Sequence, residues 1–489
     1  MLLILIVSLY TSRVVLKTLG AVDYGLYNVI GGVVTIFSFI NATLALSTER
    51  FISILIGKKV QEKEIQKNFS TILIIHFLIA LLVIIICETI GLYFVKNILE
   101  IPDNRIKASM IVYQISVISI FFSFMIVPYN GLIIAHEKME IFAYFSIIDT
   151  LLKLIVIYFL SFLGYDKLIL YSILILIIGI ISFLIYFIYS YKEFKESRFV
   201  WSYDRELYKN ILSFSGWNIF STLSSSLSNQ GINIIMNLFF GPIINAARGI
   251  AFQVNGAIGG FTSNIQVAVN PQIFKLWGQN EIEEFKNLIY NSSKFSFLLI
   301  SVILCPIILE INYILKIWLV NPPNNTAIFC RLIFIQIIIF SISRSFVTGV
   351  NAIGKIKTLN LISGFALLSV LPISYLLYYL GYPAYTTFIV YGISLLIEFL
   401  IAFYILSNTI KLLISGFLSS VILPIIKVLA LSLPLPIIFH FMMDDGIIRF
   451  LLIGICDVIL FLIGTFMFAI DNQTKKLVIQ KIINFVYGK

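Results

Sequence analysis

Residues 19–28, LGAVDYGLYN, and residues 240–249, FGPIINAARG, open two segments that align without a gap as far as FISILIGKK (51–59) and QIFKLWGQN (272–280). Gly20 then matches Gly241, and Gly57 matches Gly278 at the same separation. Each glycine pair brackets one apolar stretch, and a charged amphipathic loop follows each, KKVQEKEIQKNFS after the first and GQNEIEEFKNLI after the second. A weaker echo joins YNGLIIAHEKMEIF, around Gly131, to VTGVNAIGKIKTLN, around Gly349. Both copies begin after an even number of apolar spans, so they share one orientation. That predicts two six-helix bundles related by a pseudo-twofold axis along a membrane normal, with a substrate site between them.

The chain is 60% hydrophobic and 12% charged, with a mean hydropathy of +1.02; soluble domains run at about 45–50% and 25%. This composition implies an all-α integral membrane protein, because a helix satisfies its own backbone in lipid. Apolar windows of membrane-crossing length give about fourteen spans. Their extents are 1–19, 28–49, 69–96, 109–135, 141–163, 167–190, 211–238, 246–270, 292–318, 327–350, 358–380, 384–406, 417–440 and 447–470. The expected division is an N-lobe over 1–190, a cytoplasmic linker over 191–210, a C-lobe over 211–406, and two further helices with a cytoplasmic tail over 407–489. The first span opens with no cytoplasmic lead, which points to a chain that starts upstream or to a short span. Lysine and arginine collect on every second loop, from Lys58, Lys59 and Lys63 to Lys475 and Lys481. The positive-inside bias puts both termini in the cytoplasm. The net charge of +10 is a topology signal and implies no nucleic acid.

Short outward loops carry no nucleophile–base pair, phosphate-binding glycine loop or paired carboxylates, so no enzyme is expected. Cys87, Cys305, Cys330 and Cys456 stand singly, and His76, His136 and His440 are far apart. Neither a metal site nor a disulfide framework is expected from such spacing. No cofactor is implied.

Residues 224–242, SSSLSNQGINIIMNLFFGP, are too polar for their apolar surroundings. Asn218, Thr222, Ser226, Asn229, Asn233 and Asn237 recur at three- or four-residue steps, one face of a helix. The next span repeats the pattern with Arg248, Asn255, Gly259, Thr262, Gln266 and Asn270. Serine and asparagine also serve as helix–helix glue, which suits the serine run 224–226. Two adjacent stripes with an arginine favour a hydrated cavity, since a polar face toward lipid is costly. The span equivalent to the second stripe carries Thr35, Ser38, Asn41, Ala45 and Glu49, with Arg50 next.

Arg13, Arg50, Arg248 and Arg344 all lie in or at the ends of spans. Arginine stays charged and its planar fork matches phosphate bidentately. Snorkelling to the interface explains Arg50 and Arg248 as well as a cavity role does, and explains Arg13 and Arg344 poorly. Asp149 and Lys153, one helical turn apart, read first as a self-neutralising pair and second as a gating or ion-coupling pair. Glu88, Glu310, Glu398, Lys427 and Asp457 stand isolated in or near apolar spans, and any of these acids, Glu398 included, is a candidate for a coupling proton or sodium ion. A basic, amide-lined cavity suits an anionic, hydroxyl-rich substrate.

SRVVLKTLGAVDYGLYNVIGG (12–32) and NIIMNLFFGPIINAARGIAFQVNGAIGGF (233–261) resemble signature regions of the polysaccharide flippases in the multidrug/oligosaccharidyl-lipid/polysaccharide (MOP) exporter superfamily. The resemblance implies alternating access between two six-helix lobes in a bacterial cytoplasmic (inner) membrane. It implies export of an undecaprenyl-diphosphate-linked oligosaccharide, such as an O-antigen, lipopolysaccharide or capsule unit, with membrane lipid, a polymerase and glycosyltransferases as partners. By position, relatives that flip the peptidoglycan precursor imply a diphosphate-binding role for Arg13, Arg50 and Arg248. The two extra C-terminal helices are a departure from the twelve-span members, and a groove between them would hold the lipid tail. The alternatives are a drug/cation antiporter of the same superfamily, which would need cavity acids, and a membrane glycan polymerase or ligase, which would need a catalytic constellation.

Overall fold

The computed structural model describes residues 37–471 apart from 98, 100, 163, 164, 320 and 321, together with Lys475 and scattered positions between 11 and 31. Among these residues every regular element is helical. In chain order they are α1 (Ser38–Gly57), α2 (Glu62–Asn97), α3 (Ile106–Ala135), α4 (Met139–Phe162), α5 (Lys167–Glu193) and α6 (Arg205–Gly278). The second series is α7 (Ile282–Leu319), α8 (Thr326–Ile353), α9 (Ile356–Tyr379), α10 (Thr386–Ile410), α11 (Ile414–Met442) and α12 (Ile447–Ala469). Ten described helices are long and apolar enough to cross a membrane. The protein is a multi-pass membrane protein. Its outer faces are apolar, with Ile85, Leu400 and Ile455 more than half exposed.

Local chemistry explains the boundaries. Asp204 starts α6 by accepting from the Glu206 and Leu207 amides at 3.0 and 3.1 Å, and Asp166 does the same for α5. Such caps satisfy amides that the first helical turn leaves open. In α2 a wide turn at Cys87–Gly91 disturbs the ladder, and the Tyr113 hydroxyl donates to the Cys87 carbonyl there at 2.5 Å. Buried Thr48 and Thr71 and half-buried Ser116 donate to carbonyls one turn back, the usual way a hydroxyl enters an apolar interior.

Three span boundaries differ from the sequence reading. Helix α1 runs on past Glu49 to Gly57, because Arg50 stacks on Phe51 and Phe214, 4.9 and 4.7 Å from their ring centroids. Spans 211–238 and 246–270 are two helical arms of α6 that meet at Gly241, whose φ of 76° and ψ of −178° are non-helical, so the turn between them is tighter than the seven residues the sequence reading left. Only glycine takes that backbone region at no steric cost. The span read at 417–440 is interrupted: α11 breaks at Leu433, immediately before Pro434. The span read at 1–19 lies largely outside the described residues.

The duplication is visible in the backbone. Gly20 has a φ of 79° against 76° at Gly241. Helices end at Gly57 and at Gly278, and Lys59 and Asn280 then take left-handed φ values of 52° and 58° at equivalent positions. The weaker echo holds too: Gly131 and Gly349 each precede a helix end, at Ala135 and Ile353.

Packing divides the chain into two compact units, residues 1–223 with 274–280, and 224–273 with 281–489. The first has cores around Ile30, Val112 and Phe124 and around Phe69, Ile72 and Leu132. The second is built around Met236, Phe329 and Phe334, with α11 and α12 packed on α7.

The segment after α5 is fastened by His136, whose ring stacks on Phe194 at 4.3 Å and whose Nε2 meets Glu196 at 2.6 Å. Burial alone would raise the Glu196 carboxyl, but the hydrogen bond and charge of His136 bring it below its ordinary value. A lowered carboxyl stabilises the fold above its unfolded value, and that contribution is lost as pH falls through the folded value. Thermal unfolding followed against pH is therefore expected to lose stability on the acid side of the carboxylate range. Glu196→Gln should flatten that limb; an unchanged acid limb would count against the pairing.

Candidate substrate site

Among the described residues, each unit holds a polar cluster built around a residue singled out in the sequence, Asn41 in the first and Arg248 in the second. In the first unit, Asn41 on α1 lines a cavity of about 210 Å³ with Tyr27, Ser116, Ser119, Ser123 and Ser172. Its amide donates to Ser123 Oγ at 2.7 Å, while its carbonyl oxygen has no partner among the described residues. Ser116, Ser119 and Ser172 spend their protons on carbonyls of their own helices. Their oxygens are left as acceptors, so the cavity is uncharged and suited to hydroxyl donors. The serines were missed in the sequence reading, although 116, 119 and 123 follow helical spacing. The strongly apolar residues between them hid the face.

In the second unit the polar stripes of the two arms of α6 meet at the Gly241 bend. Arg248 is 7% exposed, and its Nη2 donates to the Asn229 carbonyl at 2.9 Å, tying one arm to the other. Its guanidinium lies over Phe252 at 4.3 Å. The Tyr391 hydroxyl lies against the side chains of Ser225 and Asn229, and Asn229 Nδ2 donates to the Ser225 carbonyl at 3.1 Å. Among the described residues no carboxylate comes within ion-pair distance of Arg248. A buried cation held by a carbonyl and an aromatic face keeps most of its charge for an incoming anion.

The remaining residues are dispersed. Asn233 and Asn255 are half-buried and Asn237 is exposed. Gln266 is 7% exposed with both amide atoms unpartnered among the described residues, one turn from the equally unpartnered Thr262 hydroxyl. Asn270 accepts from Thr348 Oγ1 at 3.0 Å. Arg344 lies over Phe340 at 4.8 Å and is the charge that Glu398 faces. Arg50 belongs to the first unit and is half-buried against Phe51 and Phe214. Asp149 and Lys153 pair at 2.7 Å, with Ser182 donating to Asp149 at 3.2 Å. Arg13 lies outside the described residues. Among the described residues no group of acids, histidines and cysteines could hold a metal ion.

Residues 1–277 match the family described as polysaccharide biosynthesis protein. A comparison with curated proteins gives no match. Solved structures are similar over most of the chain at low identity. One is MATE in the bent conformation, with a TM-score of 0.68 and 15% identity over 83% of this chain and 91% of that one. Another is an outward-facing multidrug resistance MATE family transporter of the MOP superfamily, with a TM-score of 0.69 and 16% identity over 83% and 92%. A third is a MOP superfamily transporter from Pyrococcus furiosus whose binding pocket is described as having reverse polarity, with a TM-score of 0.67 and 14% identity over 83% and 92%. The chain belongs to the polysaccharide biosynthesis protein family and has the membrane-transporter fold of the MOP superfamily.

Proposed function

We propose that this protein is a flippase for a diphosphate-linked oligosaccharide on an isoprenoid lipid, working by alternating access in a bacterial cytoplasmic membrane. The observation that carries the reading is Arg248, a buried cation whose described partners are a carbonyl and a ring. A charge left open in this way favours an anionic substrate. Arg344 would add a second cation in the same unit, and the family resemblance would give Arg13 and Arg50 a diphosphate-binding role as well. Asn41, with its ring of serine acceptors, and the unpartnered Gln266 amide suit sugar hydroxyls. The family's description, polysaccharide biosynthesis, fits such a substrate. Glycosyltransferases and a polymerase would act before and after the flip, and a proton or sodium gradient would drive it.

Arg248→Ala, at normal expression in cells lacking the native protein, is expected to lower export of surface polysaccharide about ten- to hundredfold. A hydrogen bond to a charged group is worth about 1.5–3 kcal/mol, and each 1.4 kcal/mol is about tenfold. Arg248→Lys should restore export in part. Full activity of Arg248→Ala would overturn the role of this charge. A drug/cation antiporter has one residue in its favour, the interior acid Glu398. On that reading Glu398→Gln would abolish drug resistance while polysaccharide export was untouched by either variant.

A further inference from the structure

Asp457 sits in the middle of α12, fully buried, and neither carboxylate oxygen has a hydrogen-bond partner among the described residues. Glu310 on α7 is the contrast: as deeply buried, it accepts from His440 Nδ1 and Arg449 Nη2, both at 2.7 Å. A bare carboxylate inside a membrane protein is strongly disfavoured, and such residues mark ion or proton sites when no partner neutralises them.

Two contacts set what faces Asp457. Gly464 packs on Val428 and Leu431, where an added Cβ would lie 3.3–3.4 Å away. At the other end Arg449 Nη1 donates to the His440 carbonyl at 3.3 Å. The antiparallel register between these contacts sets Asp457 opposite residues 432–436. There α11 breaks, at Leu433, Pro434 and Pro436. Neither proline has an N–H, so the carbonyls of Ala430 and Ser432 lose the donors a helix would supply. The Ser432 hydroxyl is fully buried and has no partner among the described residues, and the same holds for Ser301 on α7. One turn beyond Ser301, Cys305 lies within electrostatic reach of Asp457, as does Cys456 on its own helix. The neighbouring charges are engaged elsewhere. Lys427 is exposed and lies 5.9 Å from the Phe468 ring, and Glu310 is paired with His440 and Arg449.

We propose that Asp457 is a proton-binding site, a carboxylic acid whose O–H donates to a carbonyl released at the Pro434–Pro436 break. A proton needs a single acceptor, whereas an alkali ion needs several oxygens converging on one point. Among the described residues, the side chains within electrostatic reach of Asp457 are the thiols of Cys305 and Cys456, poor ligands for a hard cation. The break offers acceptors that lack a donor, and protonation turns an acceptor-only carboxylate into the missing donor. Binding adds one proton to the carboxylate. Its release leaves acceptor facing acceptor and pushes α12 away from the break, which makes the seam between α11 and α12 responsive to proton occupancy. This assignment is independent of the exported substrate.

Infrared spectroscopy of the purified full chain in lipid vesicles tests it near neutral pH. The wild-type-minus-D457N difference spectrum is expected to contain the carbonyl stretch of one neutral carboxylic acid per chain. In the double variant P434A/P436A, where new N–H groups reclaim the carbonyls, that band should shift to higher frequency. A difference spectrum carrying carboxylate bands instead would overturn the proposal. So would a neutral-acid band that disappears when sodium replaces a bulky organic cation at fixed pH, since the site would then belong to sodium. Should D457N fail to fold, the proline double variant decides alone, and an unshifted band overturns the assignment.

Discussion

Gly57→Ala is expected to pry apart two helix ends. An added Cβ would lie 2.3 Å from the Lys275 carbonyl oxygen and 2.8 Å from its Cα. Gly278→Ala meets the same obstacle from the other side, 2.4 Å from the Ile54 carbonyl oxygen. These are backbone atoms, which no rotamer change can move. Ile54 and Lys275 each stand three residues before the equivalent glycine, so the ends of α1 and α6 cross in a self-complementary contact between the two repeat copies. Lys275 adds an ion pair to Glu137 at 2.7 Å. Overpacking of this kind costs about 1–3 kcal/mol, and the two alanines should not add, because both separate one crossing. Thermal unfolding in detergent would read the loss. A disulfide between cysteines placed at Ile54 and Lys275 should form readily in the parent chain and slowly in either alanine variant. Gly179→Ala is the control, since nothing lies within 4 Å of its Cβ position, and it should gain about 0.5–1 kcal/mol as a helical glycine replaced by alanine. Unchanged stability and cross-linking in both Gly57→Ala and Gly278→Ala would refute the close crossing.

The parts legible in advance were those written in local spacing. The gapless alignment of Gly20 and Gly57 with Gly241 and Gly278 located four backbone features, because a left-handed φ or a helix-to-backbone contact accepts little besides glycine. The amide stripes of α6 were legible because a helix repeats every three or four residues. Their partner was less so. That Arg248 reaches the Asn229 carbonyl follows from the Gly241 bend, which the sequence reading held only as a gap between two spans. The acids were the least legible. Glu310 and Asp457 look alike in sequence, single carboxylates in apolar runs. What separates them is a pair of side chains far along the chain, His440 and Arg449, that reaches one and not the other. Periodicity carries no information about such pairings. Ser116, Ser119 and Ser123 had the right spacing, but single hydroxyls are common in membrane helices, so only the cavity in front of them distinguishes them.

Arg449→Ala is expected to be the most destabilising single change in the C-terminal helices. Glu310 is wholly buried and its Oε2 accepts from Arg449 Nη2 at 2.7 Å. Arg449, with its side chain 7% exposed, also pairs with Asp445 at 2.8 Å and donates to the Met443 carbonyl at 2.9 Å. Its guanidinium therefore joins α7 to the turn between α11 and α12. Truncation leaves Glu310 with His440 alone, a buried acid without its main counter-charge. Removing one partner of a buried pair costs about 3–5 kcal/mol. Much of that is the penalty of the stranded charge, so the double variant Glu310→Leu with Arg449→Leu should recover most of the loss, since an apolar pair of similar volume is often neutral or better. The sign of that coupling is the test. Full-chain unfolding curves should place the double variant well above Arg449→Ala. A double variant as unstable as the single would mean that Arg449 holds the turn through Asp445 and the Met443 carbonyl, with Glu310 a bystander. Limited proteolysis separates the two cases, because loss of the Glu310 link alone should free α11 and α12 together from α7, whereas loss of the turn contacts should expose only residues 443–446.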